Sequence, residues 1–407
     1  MKAVPDHRAD VVALSGALPV ISERVTHARG LVLVQDLPSL LSIPRFDNSA
    51  MDGFAVRAAD VRCGAPLPVR GESAAGQEKV KPLEPGTAMR ILTGAPMPEG
   101  ADAVLQLELT EEGSASMEGA APARITPTAE VSSGTHVRHA GEDVMAGDTI
   151  FRAGTELTAT HIAALIACGY GEVPVHKRPR VGVVTTGEEL RPAGSSVAVG
   201  QIPDSNGPLV VQLIEERGGT AVHHLCASDT VATFRAEIAR IAGEVDLIVT
   251  TGGVSAGAYD VVRETLTGVT FTKVAMQPGK PQGFGKILDA NGRAVPVVCL
   301  PGNPVSVFVS TELFVLPLLD AMLGRHVPSY DEMFTAEIVD SGWHHKPGRA
   351  QFMPCTRATG GIVPAGPGGS ASHLVGSLPL ARGLARVEAD ATEVRAGDTL
   401  PVLWIYE

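Results

Sequence analysis

Polar and apolar positions alternate in short bursts along most of this chain, and the period of each burst predicts an element. GLVLVQDL, residues 30 to 37, repeats every two residues and predicts a strand, while residues 8 to 18 have the spacing of a short amphipathic helix. From about 45 to 140, short pieces such as LPVRGES, TAMRILTGAPM, DAVLQLE and SMEGAAPARITP are separated by Gly and Pro, with no sustained helical period. That pattern predicts a β domain. The turn-rich GEDVMAGDTIFRAGTEL then leads into THIAALIACGYGEVPV, where Thr158 or Thr160 can cap a helix of small residues ending at Gly169, and a domain boundary near 178 follows.

Between 180 and 323 the chain alternates strand and helix: RVGVVTTG, SNGPLVVQLIEERGG, TAVHHLCA, DTVATFRAEIARIAG, VDLIVTTGG, AYDVVRETL, VTFTKVAM, AVPVVCLPG and NPVSVFVSTELFVLPLLDAML. This predicts a parallel α/β sheet. The last 80 residues return to short strands and turns, with Trp343 and Trp404 as packing anchors and a Gly-Asp turn at 397 and 398, and predict a small β barrel. The fold class is therefore multidomain α/β plus β.

Composition narrows the function. A chain of 407 residues with 44% hydrophobic content can bury more than one core, so three or four domains are expected. A net charge of -12 and a pI near 5.5 argue against nucleic acid or an anionic membrane as the main partner, and any anionic substrate must meet a local basic cluster. The five cysteines, Cys63, Cys168, Cys226, Cys299 and Cys355, are scattered without a CxxC pair, which signals neither zinc nor a disulfide framework and fits a reducing cytoplasm. No apolar stretch of about 18 residues is visible, and MKAVPDHRAD lacks the apolar run of an export signal. The expectation is a cytoplasmic protein without a membrane span.

Candidate chemistry concentrates in few places. The run PRFDNSAMDGFAVRAAD, residues 44 to 60, sets Asp47, Asp52 and Asp60 around Gly53, a site candidate that taken alone reads more readily as a solvated surface turn. In the α/β section ligands bind outside the carboxyl ends of the strands. There VVTTGEEL offers Thr185, Thr186, Gly187, Glu188 and Glu189, either a site or a polar loop. IVTTGGVSAGAYD offers Gly252 and Gly253 for close backbone approach, the Ser255 hydroxyl, and Asp260 near the next helix start, an arrangement suited to phosphate. The plainer reading of those glycines is tight packing of helix on sheet. In VCLPGNPVS, Pro301 and Pro304 stiffen a turn in which Gly302 and Asn303 tolerate unusual dihedrals. KVAMQPGKPQGFGK places Lys273 and Lys280 on either side of a Pro-Gly turn, a site candidate whose less favoured reading is a solvated loop. The pairs His223–His224 and His344–His345 would point to opposite strand faces and make poor joint metal ligands, and His136, His139 and His373 have no assignable role.

Taken together these residues resemble the MoeA family of molybdopterin molybdenumtransferases, which includes the E domain of gephyrin. SAMDGFAV, ILTGAPMPEGADAV, RHAGEDV, TTGEEL, DSNGPLV, TTGGVSAGAYD, PGKPQGFG, LPGNPVS, KPGRAQF and GSASHL occur in the family's order along nearly the whole chain. The resemblance implies an N-terminal linker domain (1–44 and 141–177), an inserted β domain (45–140), a central molybdopterin-binding α/β domain with a parallel sheet (178–325) and a C-terminal β barrel (326–407). It also implies a homodimer with the site at the subunit interface. The implied reaction inserts molybdenum from molybdate into adenylylated molybdopterin and releases AMP with Mg²⁺ assisting, and contacts with the molybdopterin adenylyltransferase and with molybdoenzyme acceptors follow from pathway logic.

Residue by residue, the resemblance implies that Asp229 and Asp260 hold the metal. Glu189 and Asp143 line the site, and Asp52 and Thr93 arrive from the other copy's inserted domain. Lys280, Arg349 and Ser372 match the family's oxyanion positions; Arg138, Lys273, Ser255, Gly252 and Gly253 serve the phosphates, beside Thr186, Pro301 and Asn303. Gln277 departs from the pattern, since many members carry a lysine there, so one positive charge at the molybdate site is missing. Two other readings remain: a scaffold or cofactor-binding protein without transferase activity, and an adenylyltransferase or nucleotide hydrolase, because related single-domain proteins share the TGGVS turn.

Overall fold

The computed structural model describes residues 1–113, 119–226, 230–254, 261–367 and 369–405. It forms two compact units, one of residues 1–22, 30–34 and 174–407 and the other of 23–29 and 35–173.

The second unit is built on a five-stranded sheet in the order Ala103–Gln106, Gly53–Val56, Ala88–Ile91, Leu67–Ser73 and Arg124–Ile125. Gly53–Val56 runs antiparallel to both neighbours and is buried on both faces: Phe54 and Val56 enter one apolar cluster with Leu105 and Ile125, and Ala55 enters another with Ile91 and Val104. A Cβ on Gly53 would lie 2.3 Å from the Leu105 carbonyl oxygen, so the glycine of SAMDG has a packing reason of its own. The helix Ala159–Ala167 is capped by Thr158, not Thr160, in a capping box with His161.

In the first unit a six-stranded sheet runs Thr220–Cys226, Arg180–Thr186, Leu247–Thr251, Ala294–Leu300, Pro281–Leu288, Val269–Lys273. The first four strands are parallel, as expected. Pro281–Leu288 is antiparallel to both neighbours and makes the sheet mixed. Gly283, Gly285 and Lys286 interrupt the apolar signal of that strand, which hid it in the sequence.

Several local expectations change. The first helix spans Val4–Val12 rather than 8 to 18, because Pro5 sits in its first turn, where a missing amide costs nothing. Leu31, Val32 and Leu33 are all buried, and in place of one strand the 30 to 37 segment forms bridge pairing at Val32 and Leu33, the latter with Val175, followed by the two-residue strand Leu37–Pro38. The absence of a long apolar stretch is also overturned. Pro304–Met322 is long and apolar enough to cross a membrane by length and composition, yet 94% of its apolar window is buried inside the protein, which makes it a core helix. Thr311–Val315 within it is π-helical, and Pro317 just beyond lacks the amide that an unbroken α-helix would use.

Toward the C-terminus, Ala350–Ala358, Gly383–Val387, Thr399–Trp404 and Thr335–Ile338 pair in that order, and Gly361–Pro364 pairs with Ala350–Ala358. A bridge from Val339 to Ile362 joins the ends, closing the ring expected of a barrel. Trp343 and Trp404 pack against its core. The short strand Met276–Gln277 adds to Ala350–Ala358 in parallel, tying the α/β section to the ring.

Candidate active site

At the carboxyl ends of the parallel strands lies a cleft of about 740 Å³. Its floor follows from three strand ends. Thr186 closes one strand, buried at 7% exposure. Gly252 and Gly253 close the next with φ of 90° and 64°. A Cβ on Gly252 would lie 2.8 Å from the Thr186 carbonyl oxygen, so only glycine lets one turn rest on the other. The Gly252 amide donates to the Leu300 carbonyl at 3.2 Å, which joins the third strand end and the Pro301–Asn303 turn to the same floor.

That turn is held from two sides. Asn206 donates from Nδ2 to the Gly302 carbonyl at 2.6 Å. Asn206 is itself placed by Asp204, whose Oδ1 accepts the amides of Asn206 and Gly207 at 3.1 Å and whose Oδ2 accepts from Thr185 at 2.5 Å. His223 Nε2 lies 2.9 Å from the same Oδ2. Burial, the largest influence on Asp204, pushes its carboxyl up, but the bonds from His223, Thr185 and Gly207 together hold it below the usual range. On the other side Asn303 Nδ2 donates to Ser372 Oγ at 3.0 Å, and the Val305 amide donates to the Ser372 carbonyl at 3.0 Å. The segment around Ser372, from the C-terminal part of the chain, is thereby fixed to the start of the long helix.

The facing wall is the loop from Gln277 to Pro281. Arg349 Nη2 donates to Gln277 Oε1 at 3.1 Å, because the strand pairing sets Gln277 opposite Gln351 and beside Arg349. Lys280 follows two residues after the cis-proline turn. Lys280 and Arg349 give a local positive wall within a chain whose net charge is -12.

The cleft thus collects Thr186, Glu189, Gly252, Gly253, Gln277, Lys280, Pro301, Asn303, Arg349 and Ser372. Lys273 lines an adjoining cleft of about 560 Å³ together with Lys2, Arg263 and Lys280. Asp52, Thr93, Arg138 and Asp143 are exposed residues of the other unit. There Asp52 Oδ1 accepts both the amide and the hydroxyl of Thr93, at 2.7 and 2.9 Å, and Arg138 pairs through its strand with Asn48. The Asp143 amide donates to the Ile43 carbonyl at 3.0 Å. Asp229, Ser255 and Asp260 lie outside the described residues. Among the described residues no group of three His, Cys, Asp or Glu could hold a metal ion.

Sequence reasoning missed Gly279, Ser306, Ser370 and His373, all on the cleft wall. His373 stood next to Ser372 in GSASHL, a signal of position without one of role. His223 and His224 are held by different partners, Asp204 and Glu237, as expected of strand neighbours facing opposite ways.

Comparison with known proteins is consistent along the whole length. Residues 3–169 match the MoeA N-terminal region (domain I and II), 182–321 a probable molybdopterin binding domain, and 338–405 the MoeA C-terminal region (domain IV). The chain is 39% identical to molybdopterin molybdenumtransferase 2 of Mycobacterium tuberculosis, covering 99% of each chain. It is 33% identical to molybdopterin molybdenumtransferase of Haemophilus influenzae, covering 92% of this chain and 91% of that one. Among solved structures, the molybdopterin biosynthesis moeA protein from Pyrococcus horikosii superposes with a TM-score of 0.74 at 28% identity, covering 99% of this chain and 98% of that one.

Proposed function

The chain belongs to the MoeA family and acts as a molybdopterin molybdenumtransferase in molybdenum cofactor biosynthesis, and on that footing we propose that its cleft takes adenylylated molybdopterin and molybdate. Two dithiolene sulfurs bind molybdenum as one molybdate oxygen leaves with their protons as water, and a water molecule opens the phosphoanhydride, releasing AMP and leaving the other phosphate on the pterin. The observation that carries this reading is the meeting of glycine-rich strand ends with Lys280, Arg349 and Ser372 around one cavity.

Each wall then has a task. The Gly253 amide, beside Thr186, suits a phosphate oxygen, while Gly252, whose amide is taken by the Leu300 carbonyl, lets the ligand approach the backbone closely. Molybdate is a tetrahedral dianion and needs directed donors with positive charge, which Lys280, Arg349 and Ser372 supply. Because Asn303 donates to Ser372 Oγ, the hydroxyl's own hydrogen is left to point at the anion. Neutralising the dianion there lowers the repulsion that an approaching thiolate would meet.

Mg²⁺ prefers hard oxygens and keeps waters, so one or two carboxylates beside substrate phosphates suffice to hold it. Glu189, an exposed carboxylate on the cleft wall, fits that donor set, and Asp229 and Asp260 are the acids proposed to complete it. Bound there, Mg²⁺ would neutralise charge on the phosphoanhydride as it opens.

The reading extends to a homodimer in which the second copy supplies Asp52, Thr93, Arg138 and Asp143; their exposure on their own unit supports it. Contact with the adenylyltransferase that supplies the substrate, and with apoenzymes that accept the product, belongs to the same proposal.

AMP release from adenylylated molybdopterin with Mg²⁺, with and without molybdate, tests it alongside reconstitution of a cofactor-free molybdoenzyme. Molybdate-dependent release with reconstitution is the expected result. Formation of the adenylylated compound from ATP would point to an adenylyltransferase instead, and intact substrate under every condition to a scaffold.

A further inference from the structure

Beneath the loop that carries Gln277 and Lys280, the side chains of Gln282 and Ser310 form a polar bracket, and neither residue lines either cleft. Gln282 is fully buried, and its Nε2 donates at 2.7 Å to both the Gly279 carbonyl and Ser310 Oγ. Its orientation is unambiguous, since the Gly279 carbonyl only accepts, so the amide nitrogen must face it. The other end of the side chain, Oε1, has no hydrogen-bond partner. A buried acceptor left open costs stability, and a leucine of similar size would avoid that cost. Gln282 is therefore kept for what its nitrogen holds.

What it holds is the tip of the anion loop. Gly279 sits at φ 102°, and a Cβ there would lie 3.0 Å from Ser310 Oγ, so any side chain would press into the bracket. The next carbonyl, of Lys280, accepts the Val274 amide at 2.8 Å. Lys280 is thus tied at the peptide on either side of it. Ser310 belongs to the same helix, Pro304–Ser310, whose Val305 amide holds the Ser372 carbonyl, and the π-helical stretch begins at the next residue. One helix therefore sets the register of both segments that line the oxyanion wall.

We propose that Gln282 and Ser310 are positioning residues for the oxyanion: their buried hydrogen bonds lock the Gln277–Pro281 loop to the helix that also carries the Ser372 segment, fixing Lys280 relative to Ser372. The inference rests on the molybdate reading of that wall. It is tested with the full-length protein by measuring KM for molybdate and for adenylylated molybdopterin separately, in AMP release, for Gln282→Leu, Ser310→Ala, Lys280→Ala and Arg349→Ala.

A loosened bracket should raise the KM for molybdate about tenfold in Gln282→Leu and about threefold in Ser310→Ala, with the KM for the pterin substrate unchanged. A general structural defect would move both constants together and would overturn the proposal. So would an unchanged molybdate KM in Gln282→Leu while Lys280→Ala and Arg349→Ala lose molybdate. If those last two retain molybdate, the reading of the wall itself fails. Ser310→Ala removes one oxygen and overpacks nothing, so it decides the matter if Gln282→Leu does not fold.

Discussion

The cleft and the acid-rich turn at residues 44 to 60 both gather charged side chains, and the two places use them differently. In the turn each carboxylate is closed by a protein donor. Asp47 accepts the Ala140 amide at 2.7 Å, Asp60 the Gly86 amide at 2.8 Å, and Asp52 the amide and hydroxyl of Thr93. The Ala140 amide in particular holds the Asp47 carboxyl below its usual range. In the cleft, the side chains of Lys280 and Glu189 line a cavity and have no hydrogen-bond or ion-pair partner among the described residues. Closed carboxylates fasten a fold, while open charges around a cavity wait for a ligand. Polarity in the sequence does not separate these cases, because both kinds of residue look alike until their partners are known.

A third kind of acid sharpens the contrast with the largest effect. Glu312, in the π-helical stretch, is buried with Oε1 unpartnered, and burial pushes its carboxyl up to about 7. Arg217 opposes that rise, while Glu216 and Asp320 add to it. The folded chain then holds this proton more tightly than the unfolded chain, where a glutamate titrates near 4.5. Stability is full below about pH 4.5, falls as pH rises through 7, and levels off above. The loss is of order 3 kcal/mol. Glu312→Gln should raise the unfolding midpoint at pH 8 and flatten its change between pH 5 and 7. Unaltered pH dependence would show that this acid is charged in the fold and closed by a partner after all.

Asp52 tests the comparison from the other side. Asparagine keeps the oxygen that accepts from Thr93 and removes only the charge, so the turn should survive in Asp52→Asn. If the site is shared between two copies as proposed and uses that charge, AMP release should fall about tenfold, roughly 1.4 kcal/mol, with the unfolding midpoint nearly unchanged. Full activity would place Asp52 with Asp47 and Asp60 as a fastener of its own unit.

How much of this was legible beforehand depended on the distance over which residues act. The turns at Thr186 and at Gly252–Gly253 could be found from local pattern, because parallel strands place their carboxyl ends side by side whatever the helices do. Arg349 and Ser372 could not. They reach the cleft through the pairing of Met276–Gln277 with Ala350–Ala358 and through Asn303, contacts spanning about 70 residues that no periodicity encodes. Only the resemblance of KPGRAQF and GSASHL to the family pointed there. Pro281–Leu288 escaped because glycine dilutes a strand signal, and Gln282 within it escaped because its role depends on what lies underneath.

The smallest expected effect concerns Gln277, where the two uses of polarity meet in one side chain. Its oxygen is closed on Arg349, and the same position could carry a charge toward the anion. Lysine there would lose the acceptor that orients Arg349, a bond to a charged group, yet would add an ammonium acting on both charges of a dianion. At short range one such charge is worth on the order of 1 kcal/mol or more in a partly desolvated site. The electrostatic gain should win, so Gln277→Lys should tighten molybdate binding several-fold by calorimetry. Gln277→Met, which removes the acceptor and adds nothing, should weaken it about threefold. Opposite shifts in the two variants separate charge from orientation. Identical affinities in both would mean that position 277 does not face the anion and that Arg349 is held by its own strand alone.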